Sequence, residues 1–190
     1  MGTIGLSAPG ERLDLLISEA RLRRRVRELA RRIERDYAGR SVTLLVVLKG
    51  AAIFAADLLR ELALPATIEF IGASSYGAET RSSGRVALRG LGRIDLRGRD
   101  VILLEDIVDS GLTARKLMNR LRRRGPVNLA LCTLLRKRVA NGVPVTIAYQ
   151  GFEIPDRFVV GYGMDYAERY RNLRGVYILS FGCDARPAGH

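Results

Sequence analysis

Three carboxylates stand within five residues at the end of an apolar run. Residues 101–104 are all aliphatic, and Glu105, Asp106 and Asp109 follow them. Four aliphatic residues in a row are typical of a strand that is buried on both faces. Ionised side chains avoid the end of such a strand unless something pairs with them. The hydroxyl groups of a sugar or a divalent cation would be a suitable partner.

The turn after these acids has the composition of a phosphate-binding loop. Residues 109–113 read Asp-Ser-Gly-Leu-Thr, so that Gly111 allows a tight turn and two hydroxyls add hydrogen-bond donors. The backbone N–H groups at the start of the next helix would add partial positive charge. The GxxxxGK[ST] pattern of a nucleoside triphosphate P-loop is missing. A ligand with one phosphate and vicinal hydroxyls, such as ribose 5-phosphate, would satisfy both halves of the segment.

A purely structural explanation is open for the same residues. Asp109 and Ser110 could cap the helix while Glu105 and Asp106 form exposed ion pairs. Capping explains one acid, but it does not explain three acids at the end of a core strand. We therefore favour a ligand site.

Other residue types restrict the chemistry further. The only histidine is His190, and the two cysteines, Cys132 and Cys183, lack metal-ligand spacing. A Ser-His-Asp triad or a His-rich metal site is therefore disfavoured. We expect reduced cysteines in a cytoplasmic protein. No apolar run approaches the roughly 20 residues of a membrane helix, so we expect no membrane partner.

The formal net charge of +12 comes almost wholly from arginine, because the only lysines are Lys49, Lys116 and Lys137. Much of the excess lies in residues 21–35 and 121–125. Such a balance attracts nucleic acid or phosphorylated small molecules. A solvated helix face explains the arginines more simply, so we keep nucleic acid as an alternative that is not favoured.

Apolar strands alternate with helices, which predicts an α/β fold with a mainly parallel twisted sheet and helices on both faces. We expect strands at residues 42–48, 67–71, 101–105, 127–135, 145–149 and 176–181. We expect helices at about residues 19–37, 51–63 and 113–124, with Ser18 capping the first. Residues 1–10 should be frayed, 72–84 should form a mobile loop, and 85–90 should form a hairpin strand.

The ligands of parallel sheets bind beyond the carboxyl ends of the strands. That rule places Lys49, Gly50, the loop 105–113 and Lys137 along one rim of the sheet. The rim is where we expect the chemistry.

Residues 101–113 closely resemble the phosphoribosyl-diphosphate signature of the type I phosphoribosyltransferases, in which an apolar run, two acids and two apolar residues precede Asp-Ser/Thr-Gly-x-Thr. Four further segments extend the resemblance over about residues 14–181: VLKG at 47–50, SSYG at 74–77, LLRKR at 134–138 and GFEIPDRFVVGYGMDYAERYRNL at 151–173. The last two are similar to the purine-binding end of the hypoxanthine-guanine phosphoribosyltransferases.

This resemblance implies an enzyme of purine salvage. The enzyme would transfer the 5-phosphoribosyl group from phosphoribosyl diphosphate to hypoxanthine or guanine, giving IMP or GMP and pyrophosphate. It also implies a single domain over residues 1–190, with a core at about 40–150 and a small hood built from about 1–38 and 151–190. The family favours homodimers and homotetramers.

By the same resemblance, three groups of residues bind phosphoribosyl diphosphate. The 5′-phosphate is held by Asp109, Ser110, Gly111, Leu112 and Thr113. The ribose hydroxyls engage Glu105 and Asp106, directly or through Mg²⁺, the expected metal. The pyrophosphate meets Arg171, Lys49 and Gly50, helped by an unusual peptide between Leu48 and Lys49. Ser75 and Tyr76 would close over the reaction. Leu112 departs from relatives that often carry a polar residue, but its backbone amide should suffice.

The purine site and the base are implied in the same way. Lys137 would donate to the purine O6, Phe158 would stack on the ring, and the carbonyl of Val159 would read its far edge. Asp165 resembles a second magnesium contact beside the purine site. Asp109 is the candidate general base. Two plainer readings are open, because Asp165 could simply cap a turn and a lone Phe158 could be a core residue.

Two alternatives compete with this enzyme. One is a regulator on the same fold that binds nucleotide and RNA or DNA through its basic helices. The presence of Asp109, Lys137, Lys49 and Arg171 together argues against a pure binding module. The other is a relative that prefers a pyrimidine, which the segment 151–173 disfavours.

Overall fold

Two sheets and three helices organise residues 10–75, 86–140 and 142–182, which are the residues that the computed structural model describes. The strands are β1 Glu11–Ile17, β2 Val42–Leu48, β3 Ala66–Ser75, β4 Val86–Arg89, β5 Asp100–Val108, β6 Asn128–Arg138, β7 Tyr149–Pro155, β8 Val159–Val160 and β9 Val176–Phe181. The helices are α1 Glu19–Asp36, α2 Ala52–Glu61 and α3 Leu112–Arg122, and a short 3₁₀ turn covers Leu91–Arg93.

The main sheet has the strand order β4-β3-β2-β5-β6-β7. All its neighbouring pairs are parallel except β3 and β4, which form the predicted hairpin pairing. Leu44 and Ile102 face a core that includes residues of α1 and α2, whereas Leu45 and Leu103 face one that includes α3. The central strands are therefore covered on both faces, which confirms the predicted α/β class and explains their unbroken apolar runs.

Helix α1 has the predicted buried face, formed by Leu22, Val26, Leu29, Ala30 and Ile33. It packs against α2 and β7, and its buried residues join the core of the main sheet. Ser18 stands at the predicted N-cap position, although its side chain makes no capping hydrogen bond.

A second, three-stranded antiparallel sheet has the order β1-β9-β8. Its own small core contains Val160, Tyr170, Leu173 and Leu179. We call this sheet and the turns between β8 and β9 the hood. Strand β1 pairs with β9 from the other end of the chain, and the sequence analysis assigned no strand to it or to β8.

Several predicted boundaries are wrong. Residues 72–75 are not a loop, because β3 continues through Ser75 to pair with β4. The strand expected at 145–149 instead begins at Tyr149, where its pairing with Cys132 of β6 starts. Strand β5 runs to Val108, past the first two acids. No helix among the described residues is long and apolar enough to cross a membrane.

Candidate active site

Three neighbouring parallel strands of the main sheet, β2, β5 and β6, end at one rim. Lys49 and Gly50 follow β2, Glu105 and Asp106 lie near the end of β5, and Lys137 lies near the end of β6. The structure thus brings together the residues that the sheet rule placed on this rim.

Glu105 is the buried acid of the rim. Glu105 is only 6% exposed, and its Oε1 atom has no hydrogen-bond partner among the described residues. Burial, and then the charge of Asp106, raises the pKa of Glu105 to about 8. The carboxyl therefore keeps its proton near neutral pH until a ligand supplies hydroxyls or positive charge. The alternative of an exposed ion pair is wrong for Glu105.

Asp106 is enclosed by its surroundings as well. Burial raises the pKa of Asp106, and the charge of Asp165 adds to this, while backbone N–H groups and Arg171 oppose it. Gly50 packs directly on this carboxylate, so that a Cβ atom at position 50 would overlap it. The Leu48–Lys49 peptide just before is cis. The contact of Gly50 thus packs the loop after β2 against Asp106 of β5.

A partly open cavity of about 160 Å³ lies at the turn between β5 and α3. It is lined by Glu105, Ile107, Val108, Asp109, Ser110, Gly111, Thr113 and Ala114. Gly111 has φ +79°, and a Cβ atom there would lie 2.5 Å from the carbonyl oxygen of Val143. Helix α3 begins at Leu112, so its first N–H groups lack intrahelical acceptors and face this end. The cavity has the size and the donors for one phosphate group.

Lys137 connects this turn to the segment between β7 and β8. Its Nζ atom lies 2.8 Å from Oδ2 of Asp109 and 3.4 Å from Oδ1 of Asp156. Its side chain is only 13% exposed, whereas that of Asp109 is 56% exposed. The candidate base and the candidate purine contact are thus direct neighbours, and Asp156 is a second counter-charge that the sequence analysis did not single out.

Lys49 and Arg171, the two expected pyrophosphate cations, meet at one carboxylate. Lys49 Nζ lies 3.0 Å from Oε2 of Glu168, and Nη2 of Arg171 lies 3.3 Å from the same oxygen. The hydrogen bond from Lys49 lowers the pKa of Glu168 most, and the hydrogen bond from Arg171 lowers it further. Arg171 also pairs with Oδ1 of Asp165 at 2.7 Å and donates to the carbonyl oxygen of Gly163 at 2.8 Å.

Asp165 has the capping role that the plainer reading expected, because its Oδ2 atom accepts a hydrogen bond of 2.9 Å from the N–H of Glu168. Its ion pair with Arg171 goes beyond capping. Phe158 is not a core residue, since it is 43% exposed and its ring meets Tyr166 edge-on at 5.7 Å. Val159 is buried in β8.

Ser75 and Tyr76 are the two residues expected to close over the site. Ser75 is the last residue of β3, and Tyr76 lies outside the described residues.

No group of three or more His, Cys, Asp or Glu side chains within the described ranges could hold a metal by itself. Glu105, Asp106 and Asp165 are therefore not a ready-made cage.

Glu168 and Asp156 are the two polar residues of this site that the sequence analysis missed. Both stand inside the segment 151–173, which carries the family resemblance, but neither has a spacing that marks it. Glu168 contacts a lysine 119 positions away, so only the folded chain shows the contact.

Comparisons with known proteins agree on one family. Residues 16–167 match the family described as a phosphoribosyl transferase domain. A hypoxanthine-guanine phosphoribosyltransferase of Mycobacterium avium is 49% identical over 178 residues, covering 90% of this chain and 87% of the relative. A solved hypoxanthine-guanine phosphoribosyltransferase of Bacillus anthracis has 47% identity and a TM-score of 0.82, covering 87% and 97% of the two chains. The hypoxanthine phosphoribosyltransferase of Trypanosoma cruzi, solved with the product IMP, has 38% identity and a TM-score of 0.81, covering 90% and 96%.

Proposed function

The chain belongs to the hypoxanthine-guanine phosphoribosyltransferase family, and from this premise we propose how its residues carry out the transfer. The enzyme transfers the 5-phosphoribosyl group of phosphoribosyl diphosphate to hypoxanthine or guanine in purine salvage, and it releases pyrophosphate. The regulator considered from the basic charge is not favoured. The residue roles that follow are our assignments.

The observation that carries these assignments is the position of two acids beside a phosphate-sized cavity. Glu105 lines that cavity, and Asp106 follows it in the same strand. We assign the 5′-phosphate to the turn 109–113 and the ribose hydroxyls to the two carboxylates. A hydroxyl pair can donate to both acids, which supplies the partner that Oε1 of Glu105 lacks among the described residues.

The purine binds between Lys137 and Asp109 and replaces their ion pair. A 6-oxopurine carries the acceptor O6 next to N7, so Lys137 can donate to O6 while N7–H donates to Asp109. Adenine presents an amino group at C6 and would leave Lys137 without an acceptor. Phe158 offers an exposed ring face for stacking. The backbone carbonyl of Val159 would read the far edge of the ring.

The leaving group needs positive charge when its bond to C1 of the ribose breaks. We assign this to Lys49, Arg171 and the N–H groups of the loop that contains Gly50. Ser75 and Tyr76 would close over the site and exclude water. Asp109 would accept the purine proton as the new bond forms, which balances the charge that the purine gains.

Magnesium fits the residues when the substrate supplies part of its coordination. Mg²⁺ prefers oxygen ligands and is usually held by one or two carboxylates together with substrate phosphates. Burial raises the pKa of both Glu105 and Asp106, and a neighbouring carboxylate adds to this in each case, so a cation beside them would stabilise their charged forms. Asp165, already paired with Arg171, would contribute through a water or the pyrophosphate. When bound, the ion would supply charge neutralisation for the diphosphate.

The assembly and the compartment are further parts of the proposal. We propose a homodimer or homotetramer, as the family resemblance implies, and light scattering on the purified protein measures this directly. We also propose a cytoplasmic enzyme, which the free and buried thiol of Cys132 supports.

The test of the reaction is a substrate panel. Purified protein with Mg²⁺ and phosphoribosyl diphosphate is mixed in turn with hypoxanthine, guanine, xanthine, adenine and uracil, and the ultraviolet spectrum is followed. We expect turnover with hypoxanthine or guanine and none with adenine or uracil. The panel also ranks the three 6-oxopurines, which the contacts of Lys137 do not distinguish.

Two results would contradict the proposal. Turnover with adenine would contradict the assignment of Lys137 to O6, because adenine has no oxygen at C6. Absence of turnover with every purine, together with tight salt-sensitive RNA binding, would favour the regulator instead.

A further inference from the structure

Glu168 places a negative charge between the two cations that we assign to pyrophosphate. Its two carboxylate oxygens lie 3.1 and 3.0 Å from Nζ of Lys49, and its Oε2 lies 3.3 Å from Nη2 of Arg171. The three residues come from two segments that are 119 positions apart. A phosphate group bound at this place would contact the same lysine and arginine that the Glu168 carboxylate contacts.

Stability alone is a poor explanation for this contact. Lys49 and Glu168 are each 66% exposed, and exposed ion pairs contribute little to folding. Glu168 nevertheless has φ +62°, in a turn where Ala167 and Tyr170 also have positive φ values. Non-glycine residues avoid this left-handed region, and a set of such residues is characteristic of functional sites. The backbone thus accepts an unfavourable conformation to present a carboxylate to the two cations.

The two cations depend on Glu168 to different degrees. Arg171 keeps Asp165 at 2.7 Å and the carbonyl oxygen of Gly163 at 2.8 Å without it. Glu168 is the carboxylate with which Lys49 forms an ion pair within the described part of the chain. Loss of the Glu168 charge would therefore release Lys49 while leaving Arg171 in place.

Resting on the function proposed above, we propose that Glu168 is a competing counter-ion of the pyrophosphate subsite. Its carboxylate neutralises Lys49 and Arg171 before phosphoribosyl diphosphate binds, and the diphosphate then displaces it. After the transfer, the same carboxylate competes with pyrophosphate for the two cations and so hastens product release. Glu168 touches no reacting atom in this scheme; it acts through Lys49 and Arg171.

The experiment measures the affinity for pyrophosphate by calorimetry in the presence of Mg²⁺. Glu168→Gln keeps the size of the side chain and removes the competing charge. We expect its dissociation constant for pyrophosphate to fall roughly two- to fivefold, the factor that corresponds to an exposed ion pair. Inhibition by pyrophosphate in the forward assay should strengthen by the same factor, and kcat should fall if release limits the rate.

Matched variants separate competition from a general loss of charge. Glu168→Asp keeps the charge and should bind pyrophosphate more like the unmodified protein than Glu168→Gln does. Glu28→Gln, which removes a carboxylate paired with Arg24 and Arg25 on α1, should leave the affinity unchanged. Thermal unfolding of all variants checks that the fold is intact.

Pyrophosphate binding that is unchanged or weaker in Glu168→Gln would overturn the inference, because a purely supporting residue would give that result. The failure of the proposed function looks different. In that case the unmodified protein itself would bind neither pyrophosphate nor phosphoribosyl diphosphate.

Discussion

Lys137 lies between the carboxylates of Asp109 and Asp156. In the proposed reaction only Asp109 has to give up its contact with Lys137. In the proposed site, Asp109 would turn to the ring nitrogen when a purine enters and would give up its 2.8 Å contact with Lys137. Asp156, at 3.4 Å, would then stay as the counter-charge that keeps the largely buried ammonium group directed at O6. On this proposal Asp156 acts on the purine through Lys137.

We predict that Asp156→Asn raises the KM for hypoxanthine several-fold and leaves the KM for phosphoribosyl diphosphate nearly unchanged. The expected loss is about 1 kcal/mol, the upper range for a partly exposed ion pair. Steady-state kinetics with each substrate varied in turn measures both constants. Glu153→Gln is the control, since this carboxylate pairs with the exposed Arg138 on the neighbouring strand. Equal effects on both KM values would assign Asp156 to the fold alone.

The base assignment gives a second prediction. Asp109→Asn keeps the shape of the side chain and the backbone N–H groups of the turn, but an amide accepts no proton. We expect kcat to fall by about 10²-fold or more, the usual contribution of a general base, while phosphoribosyl diphosphate binding stays within about threefold. Turnover and calorimetric binding measure the two effects. Near-normal turnover would leave Asp109 as part of the phosphate loop only.

The sequence predicts the residues of this site that belong to a local pattern. Glu105, Asp106 and Asp109 are found because carboxylates at the end of an apolar strand are conspicuous. Asp156 and Glu168 are not, because each acts on a lysine that is distant in the chain and an exposed acid in a loop is ordinary. The contact of Asp156 exists only once β7 pairs with β6, and that of Glu168 only once the hood lies on the rim of the main sheet.

At the scale of elements, the hood is attached to the main sheet beside the catalytic rim. Tyr162 donates a hydrogen bond of 2.6 Å to Oδ2 of Asp57 on α2. Gly163, the next residue, packs on the backbone carbonyl of Gly50, and a Cβ atom there would overlap it. The segment that carries Asp165 and Arg171 is thereby held next to the loop that carries Lys49.

We predict that Tyr162→Phe lowers the free energy of unfolding by about 1–2 kcal/mol, because a hydrogen bond to a carboxylate is lost. Asp57 keeps its ion pair with Arg60 at 2.5 Å, so the loss stays moderate. Urea denaturation at neutral pH measures the difference. Tyr177→Phe, a change in the hood without a hydroxyl contact among the described residues, should cost much less. Equal losses in the two variants would mean that the Asp57 contact contributes nothing.

The main elements follow from periodicity, and the hood does not. Strands β2 and β5 are continuous apolar runs because both faces are covered, and α1 shows its apolar stripe clearly. Strand β1, with the sequence ERLDLLI, mixes charged and apolar residues, and its partner β9 lies at the far end of the chain. Strand β8 has only two residues. Such strands form because they pair with segments that are distant in the chain, and a local sequence pattern does not reveal that pairing.

At the scale of the whole molecule, the positive charge is unevenly compensated. Part of the positive charge of α1 is paired, since Arg23 pairs with Glu19 and both Arg24 and Arg25 pair with Glu28. A second group of exposed arginines forms no ion pair with the described residues: Arg97, Arg99, Arg122, Arg123 and Arg124. These lie near the amino ends of β5 and β6 and the end of α3. The pole opposite the catalytic rim, roughly 30 Å away along β5, therefore carries a cluster of uncompensated positive charge.

Buried tyrosines predict how the stability of the protein depends on alkaline pH. Burial raises the pKa of Tyr37, Tyr149 and Tyr162 above the ordinary value of 10.0, and hydrogen bonds to carboxylates add to this for the last two. Above pH 10 the unfolded chain loses phenolic protons that the folded chain keeps, so the free energy of unfolding should fall as pH rises. Three lysines are too few to dominate this range.

The measurement is the urea midpoint between pH 8 and about 11. We expect a steady fall in the native protein and a shallower one in Tyr162→Phe, which has one fewer group to titrate. An identical slope in the two proteins would exclude Tyr162 as a source of the alkaline instability.

The arginine pole has a practical consequence for handling the enzyme. A sulfonated bead or an anionic sensor chip attracts this cluster of guanidinium groups, and a molecule adsorbed through it would present its strand carboxyl ends to the liquid. Immobilised in this way, the catalyst keeps its entrance open to dissolved substrates without any engineered tag.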